Sequence, residues 1–312
     1  MSEHATPTLK APTHHPVIGT ADGLRLLGGD DVHALDGAPI TSVHSDGADL
    51  WVLVASRDLH RVADGTAELV ASLGNGAAGT CVGTHGGTAW LGGDNACLWR
   101  LNGTQLEEVE SLQDAPSRDE WHTPWGGPPA VFSMASDGTD LYVSVHVGGI
   151  LRSVDGGSWV PTIDLHHDVH QVTVSPDGTV WAATGLSGLA ESGDRGATWR
   201  YHSDGLHADY LLAVATVTDG VLVAASSGHA AGDGAVYRFA GGSFVRCSGL
   251  PDDLDGAIGP RQLAATGDHA VVALPNGDVY ASHDGGYQWT RKAIGFAEVS
   301  EVTLHATTAV MR

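Results

Sequence analysis

The chain holds 18 histidines in 312 residues. Seven of them, His122, His146, His166, His167, His170, His207 and His229, fall at the ends of strand-like runs or between them. A neutral imidazole is a metal ligand, and it also gains and loses a proton near neutral pH. His146, His170 and His207 flank what would be innermost or second strands of three consecutive repeat units. They are therefore the expected metal set, an open three-imidazole centre for Zn, Fe, Ni or Cu. His166-x-x-x-His170 encloses Asp168, but loops impose no fixed ligand spacing, so that pattern is compatible with a metal without demanding one. His122, His170, Asp168 and Arg261 are the candidate acid/base groups. Trp121, Trp125, Tyr210 and Arg57 are the candidate ligand contacts, with the Trp- and Pro-rich stretch 114–130 shaping a pocket. Three readings stay open: a metal site, a metal-free acid/base or binding site, and histidines that only fill polar loops. The chemistry implied is that of a small-molecule site, hydrolase- or lyase-like. A non-catalytic protein-interaction or assembly scaffold is the alternative. Gly185-Leu-Ser187-Gly188 is no nucleophile elbow, because no helix follows it.

These residues need a frame, and the sequence supplies a repeated one. Short runs rich in β-branched and aromatic residues are bounded by Gly, Asp, Asn and Pro, and helix signals are nearly absent. The runs group in fours, over 40–73, 80–109, 131–160, 169–201, 211–246 and 262–291. Units of roughly 40 residues with four strands each predict an all-β fold, a β-propeller of four-stranded antiparallel blades. A seventh blade would join the termini, with Val299–Val310 supplying inner strands and Pro16–Leu35 outer ones. Six blades is the alternative. Residues 1–15 are polar and carry Pro7 and Pro12, so they are expected to be a flexible tail before a single domain over 16–312. In such a ring the second-to-third-strand loops and the blade connections share one end, which gathers the histidines there.

The other end would carry a recurrent turn. Ser192-Gly-Asp194-Arg-Gly196-Ala-Thr198-Trp199 reads Ser-x-Asp-x-Gly-x-Thr-Trp. Ser282 to Trp289 repeats it with Gln288 for Thr, and Ser153 to Trp159 is a copy one residue shorter. Asp155 and Asp194 lie 39 residues apart, and Asp194 and Asp284 lie 90 apart, about two such periods. In each copy the Asp accepts N–H groups across the turn, the Gly takes a positive φ, and Trp159, Trp199 or Trp289 covers the turn as it opens the next strand.

This motif resembles the Asp-box of bacterial-neuraminidase-type (BNR) β-propellers. Trp125-Gly-Gly-Pro-Pro129, Val145-His146-Val-Gly-Gly-Ile150, Asp168-Val-His170-Gln171-Val172 and Gly205-Leu-His207-Ala208 look like bacterial sialidase-like, BNR-repeat proteins over roughly 100 residues. The resemblance implies the fold and leaves the activity unassigned. Sialidases grip a carboxylate with three arginines. Only Arg57, Arg118 and Arg261 fall at the expected mouth, and no triad can be assigned, so sialidase activity is not expected. A photosystem II assembly factor shares the fold and works as a scaffold through a basic patch, which this chain lacks.

Net charge is −22, with only Lys10 and Lys292 among the lysines. That balance disfavours nucleic acid and anionic membrane as partners, and leaves small molecules and proteins. Cys81, Cys97 and Cys247 make an odd count with no Cys-x-x-Cys pair, so buried free thiols are expected. The first fifteen residues lack the apolar core of a secretory signal, and no run suits a membrane span; the expected location is the cytoplasm.

Overall fold

Runs such as Leu50–Val54 and Leu141–His146 alternate large apolar side chains between two buried faces, and they form strands. A computed structural model describes residues 13–28, 35–123 and 126–307. Seven antiparallel sheets result. Their first strands are Ile40–Ser45, Gly79–His85, Ala130–Ser136, Val169–Val174, Tyr210–Val217, Leu263–Thr266 and Val299–Thr307. Each first strand lies beside the first strand of the next sheet, and the last lies beside Ile40–Ser45, so the ring closes on itself. The protein is a seven-bladed β-propeller, and the six-bladed alternative is set aside.

Blades one to six each have four strands in chain order. In blade seven Val299–Thr307 is innermost, Thr13–Thr20 pairs with it, and Gly23–Leu26 pairs with Thr13–Thr20. Strand pairing therefore begins at Thr13, ahead of the expected boundary at residue 16. Residues 1–12 of the expected tail, 29–34 of the outer strands and 308–312 lie outside the described residues. Closing one sheet with both ends of the chain leaves the ring no open edge between blades seven and one.

The core sits between blades. Leu53 and Leu59 of blade one face Val82, Leu91 and Trp99 of blade two. Leu53, Leu59 and Leu91 are fully buried, each contributing about 1.5–3 kcal/mol. Among the described residues, helix is confined to three short 3-10 turns, and no helix is long and apolar enough to cross a membrane. Cys81 is buried while Cys97 and Cys247 are half-buried, and all three are free thiols. Burial pushes Cys81 and Cys247 up to about 11, which leaves them unreactive.

At one end of the ring, the Ser-x-Asp turns close as hydrogen-bonded units. Asp194 Oδ1 accepts the Ser192 hydroxyl and the Thr198 N–H, both at 2.8 Å. The Gly196 N–H donates to Ser192 Oγ at 2.8 Å. Asp284 repeats the pattern with Ser282 and Gln288, and Asp155 accepts the Gly157 N–H. Trp159 and Trp289 are buried, whereas Trp199 is only half-buried. Each Trp precedes its strand, which starts one residue later at Val160, Arg200 and Thr290. The Trp thus closes the turn rather than opening the ladder.

Candidate metal centre at the mouth of the channel

The first strand of most blades begins with an irregularity. One extra residue interrupts the ladder at Thr41, Thr80, Phe132, His170 and Leu212, and Ser300 is skipped in the same way in blade seven. Such a bulge re-aims its side chain. In three consecutive blades the re-aimed residues are Phe132, His170 and Leu212, and together they line one cavity of about 380 Å³. His146, Asp168, Tyr210, His229 and Pro260 complete its wall.

Local structure fixes each polar group. His146 ends the strand Leu141–His146 and pairs with Ala130 at the start of blade three. Asp168 leaves the 3-10 turn Leu165–His167 in a left-handed conformation, φ 53° and ψ 66°. The Gly185 N–H holds the Asp168 carbonyl at 2.8 Å. A Cβ on Gly185 would stand 2.4 Å from Asp168 Oδ2 and 2.9 Å from His170 Cε1, so only glycine leaves the carboxylate its place. His170 is 4% exposed. Its Nδ1–H donates to the Leu211 carbonyl at 2.7 Å, which directs Nε2 into the cavity.

Three groups from two blades converge. His146 Nε2 lies 3.5 Å from Asp168 Oδ1, and His170 Nε2 lies 3.4 Å from Asp168 Oδ2. All three ligand atoms lie within 4.8 Å of one another. Charge-assisted hydrogen bonds are shorter, about 2.7–2.9 Å. Atoms about 2.1 Å from a common tetrahedral ion stand roughly 3.4 Å apart; here each imidazole stands about that far from a different oxygen of Asp168. The two imidazoles, His146 first, hold the Asp168 carboxyl well below the usual carboxylate range. Tyr210 Oη lies 3.3 Å from His170 Nε2, and burial, then Asp168, pushes its phenol up. Phe132 stacks on His146 with ring centroids 5.2 Å apart.

The other expected site residues lie elsewhere. His207 was expected as the third imidazole, but it stacks on Tyr237 and bonds Tyr237 Oη at 2.9 Å, with Asp233 at 3.7 Å. It sits three residues before its strand, over the third strand of blade five, so Asp168 takes the place expected for it. Trp121 is core: it packs with Val131 and Val145 and lies against Gly148 in the turn that follows His146. His122 is exposed and bonds back to the Glu120 carbonyl at 2.8 Å. Arg57 is exposed in blade one and borders no part of the cavity. Trp125 lies outside the described residues.

Arg261 lies across the channel axis, behind Phe132. Its guanidinium donates to the Thr80 carbonyl at 2.6 Å and stands 5.9 Å from the Phe132 ring centroid. Its backbone N–H donates to Gln171, and its Nε faces Glu301 at 4.0 Å. Glu301 accepts the Ser42 hydroxyl and the Val43 N–H, and burial pushes its carboxyl up against the pull of Arg261. This pair joins blades across the neck of the channel. Sequence reasoning missed Phe132, Leu212 and Pro260, because an apolar residue at a strand start reads as core.

No protein-family model matches the sequence, and no curated protein matches it. Solved structures do. The virginiamycin B lyase from Staphylococcus aureus superposes with TM-score 0.60 at 11% identity, over 96% of this chain and 100% of that one. A YCF48 structure with a bound D1 peptide gives TM-score 0.59 at 14% identity, over 86% and 89%. The GH74 xyloglucanase from Xanthomonas campestris gives 0.58 at 15%, over 90% of this chain and 46% of that one. At such identities the likeness is one of fold.

Proposed function

We propose that the protein is a metal-dependent enzyme of hydrolase or lyase type, acting on a small molecule bound in the mouth cavity. The observation that carries this is the convergence of His146, Asp168 and His170 on the cavity, with their ligand atoms within 4.8 Å of one another. Two imidazoles and one carboxylate leave coordination positions open toward the cavity. A divalent ion there would polarise a substrate oxygen and lower the pKa of a bound water. The chain's own residues do the rest. Phe132, Leu212 and Pro260 give the substrate an apolar wall and exclude water. The Leu211 carbonyl holds the His170 tautomer. Tyr210, beside His170 Nε2, hydrogen-bonds the reacting oxygen or hands a proton to the leaving group. The Ser-x-Asp turns support membership of the BNR-type propellers and are structural in this reading.

A second reading, a protein-binding scaffold, draws on the YCF48 structure with its bound peptide. One experiment separates the two. Protein stripped with a chelator and reloaded with Zn, Fe, Ni or Cu is screened against ester, lactone and glycoside libraries. Turnover that needs metal and is lost in His146→Ala supports the enzyme. Failure of metal to bind at the mouth refutes it.

A further inference from the structure

Two cavities follow each other along the first strands, and consecutive residues line opposite ones. Phe132, His170 and Pro260 line the mouth cavity of about 380 Å³. Ser133, Gln171 and Arg261, the next residue in each case, line a channel cavity of about 250 Å³. The mouth wall holds Asp168 and, among the described residues, no Lys or Arg. The channel wall holds Arg261 and Glu301. Arg261 is fixed there by its backbone. It takes a left-handed φ of 64°, its N–H donates to Gln171 Oε1 at 3.0 Å, and its carbonyl accepts the Val302 N–H at 2.9 Å. Its guanidinium has donor capacity to spare: one nitrogen donates to the Thr80 carbonyl, whereas Nε is buried without a hydrogen-bond partner. The Phe132 ring spans the gap, with its centroid 5.2 Å from that of the His146 ring and 5.9 Å from the Arg261 guanidinium carbon.

We propose that Phe132 is a specificity-determining residue: its ring closes the mouth cavity off from Arg261 and so restricts that cavity to uncharged molecules with an apolar body. A carboxylate entering the mouth gives up its water and meets the Asp168 carboxylate and an apolar wall, with no cation to replace what it lost. An uncharged ester, lactone or alcohol loses less, and gains by burying its apolar body against Phe132 and Leu212. Without the Phe132 ring the two cavities join. The spare N–H groups of Arg261 then face the mouth, and a guanidinium is shaped to hold a carboxylate. The selection of neutral substrates rests on the mouth being the substrate site, as proposed above, but the wall itself is independent of any metal.

The test therefore uses full-length protein held metal-free with chelator at about pH 8, where an ordinary imidazole is neutral. It is titrated with 1-hexanol and with hexanoate, which share one apolar chain, and binding is read on the NMR signals of the His146 and His170 rings. The wild type is expected to bind 1-hexanol roughly tenfold or more tightly than hexanoate. Phe132→Ala should shift that preference toward hexanoate roughly tenfold or more, and Phe132→Ala/Arg261→Gln should lose the shift. Arg261→Gln alone should leave the wild-type preference as it is. Phe132→Val serves if the alanine variant folds poorly. Wild-type protein that binds hexanoate as tightly as 1-hexanol, or a shift that survives the loss of Arg261, overturns the proposal. Zinc binding is measured separately. Protein that takes no zinc at the mouth but keeps the preference refutes the metal reading and leaves the role of Phe132 standing.

Discussion

One backbone position does opposite work on the two halves of the ring. The bulge that opens the first strand carries Ser300, Thr41 and Thr80 in blades seven, one and two, and Phe132, His170 and Leu212 in blades three, four and five. On the first half the hydroxyls turn back onto their own scaffold. Thr41 Oγ1 accepts the Ser56 N–H at 2.8 Å, Thr80 Oγ1 donates to the Val131 carbonyl, and Ser300 Oγ donates to the Gly19 carbonyl at 3.1 Å. On the second half the side chains are large and line a cavity, and the one polar group, His170, faces a carboxylate. The backbone irregularity is common to both halves. The side chains it re-aims decide which half carries a cavity, and His146 and Asp168, from a strand end and a turn beside it, add the other two polar groups.

The largest expected effect breaks the contrast at its centre. His170→Ala should lower metal affinity at the mouth by roughly a hundredfold or more, while Thr80→Ala, at the equivalent position on the other half, leaves it unchanged. Calorimetry with Zn(II) checks both, and equal loss in the two variants would contradict the assignment. Gly185→Ala comes next. Its φ is not in the left-handed region, so the backbone accepts alanine, but the added Cβ meets Asp168 Oδ2 and His170 Cε1. Metal affinity should fall roughly tenfold or more with little change in Tm.

On the hydroxyl half, His44 offers a pH test. Burial pushes its imidazole down to about 4, against a small opposing pull from Asp46, and its Nε2 meets Thr84 Oγ1 at 3.0 Å. The unfolded chain, with an ordinary value near 6.5, binds the proton more readily. This contribution is therefore complete above about pH 6.5 and is lost as pH falls toward about 4, by roughly 3 kcal/mol. Denaturation midpoints from pH 7 to 4 should fall less in His44→Gln than in the wild type. The smallest effect lies at the turn end, far from the cavity. Ser192→Ala leaves the Gly196 N–H without its acceptor and should cost about 1–2 kcal/mol, with metal binding intact. Loss of metal in this variant would mean that the two ends are coupled.

The frame was legible in the sequence because its punctuation is chemical. First strands expected from residues 40, 80, 131, 169, 211, 262 and 299 begin at 40, 79, 130, 169, 210, 263 and 299. Outer strands were less legible, since Trp159, Trp199 and Trp289 read as strand residues but complete the turns before them. At the site, sequence reasoning gathered His146, Asp168, His170 and Tyr210 at one end of the ring, and the structure brings these four together. It could not separate His207 from them, because whether a loop histidine faces the axis or an outer strand depends on how the last residues before the strand are wound. Phe132 and Leu212 were hidden by the bulge: in a regular ladder they would read as ordinary core. Gly185 looked like turn chemistry, and its role follows only from the absence of space beside Asp168.

The most direct measurement is an anomalous-difference map at the zinc edge, from crystals of protein loaded with one equivalent of Zn(II). The account predicts a peak about 2.0–2.2 Å from His146 Nε2, His170 Nε2 and one Asp168 oxygen. A map with no peak at the mouth would contradict it.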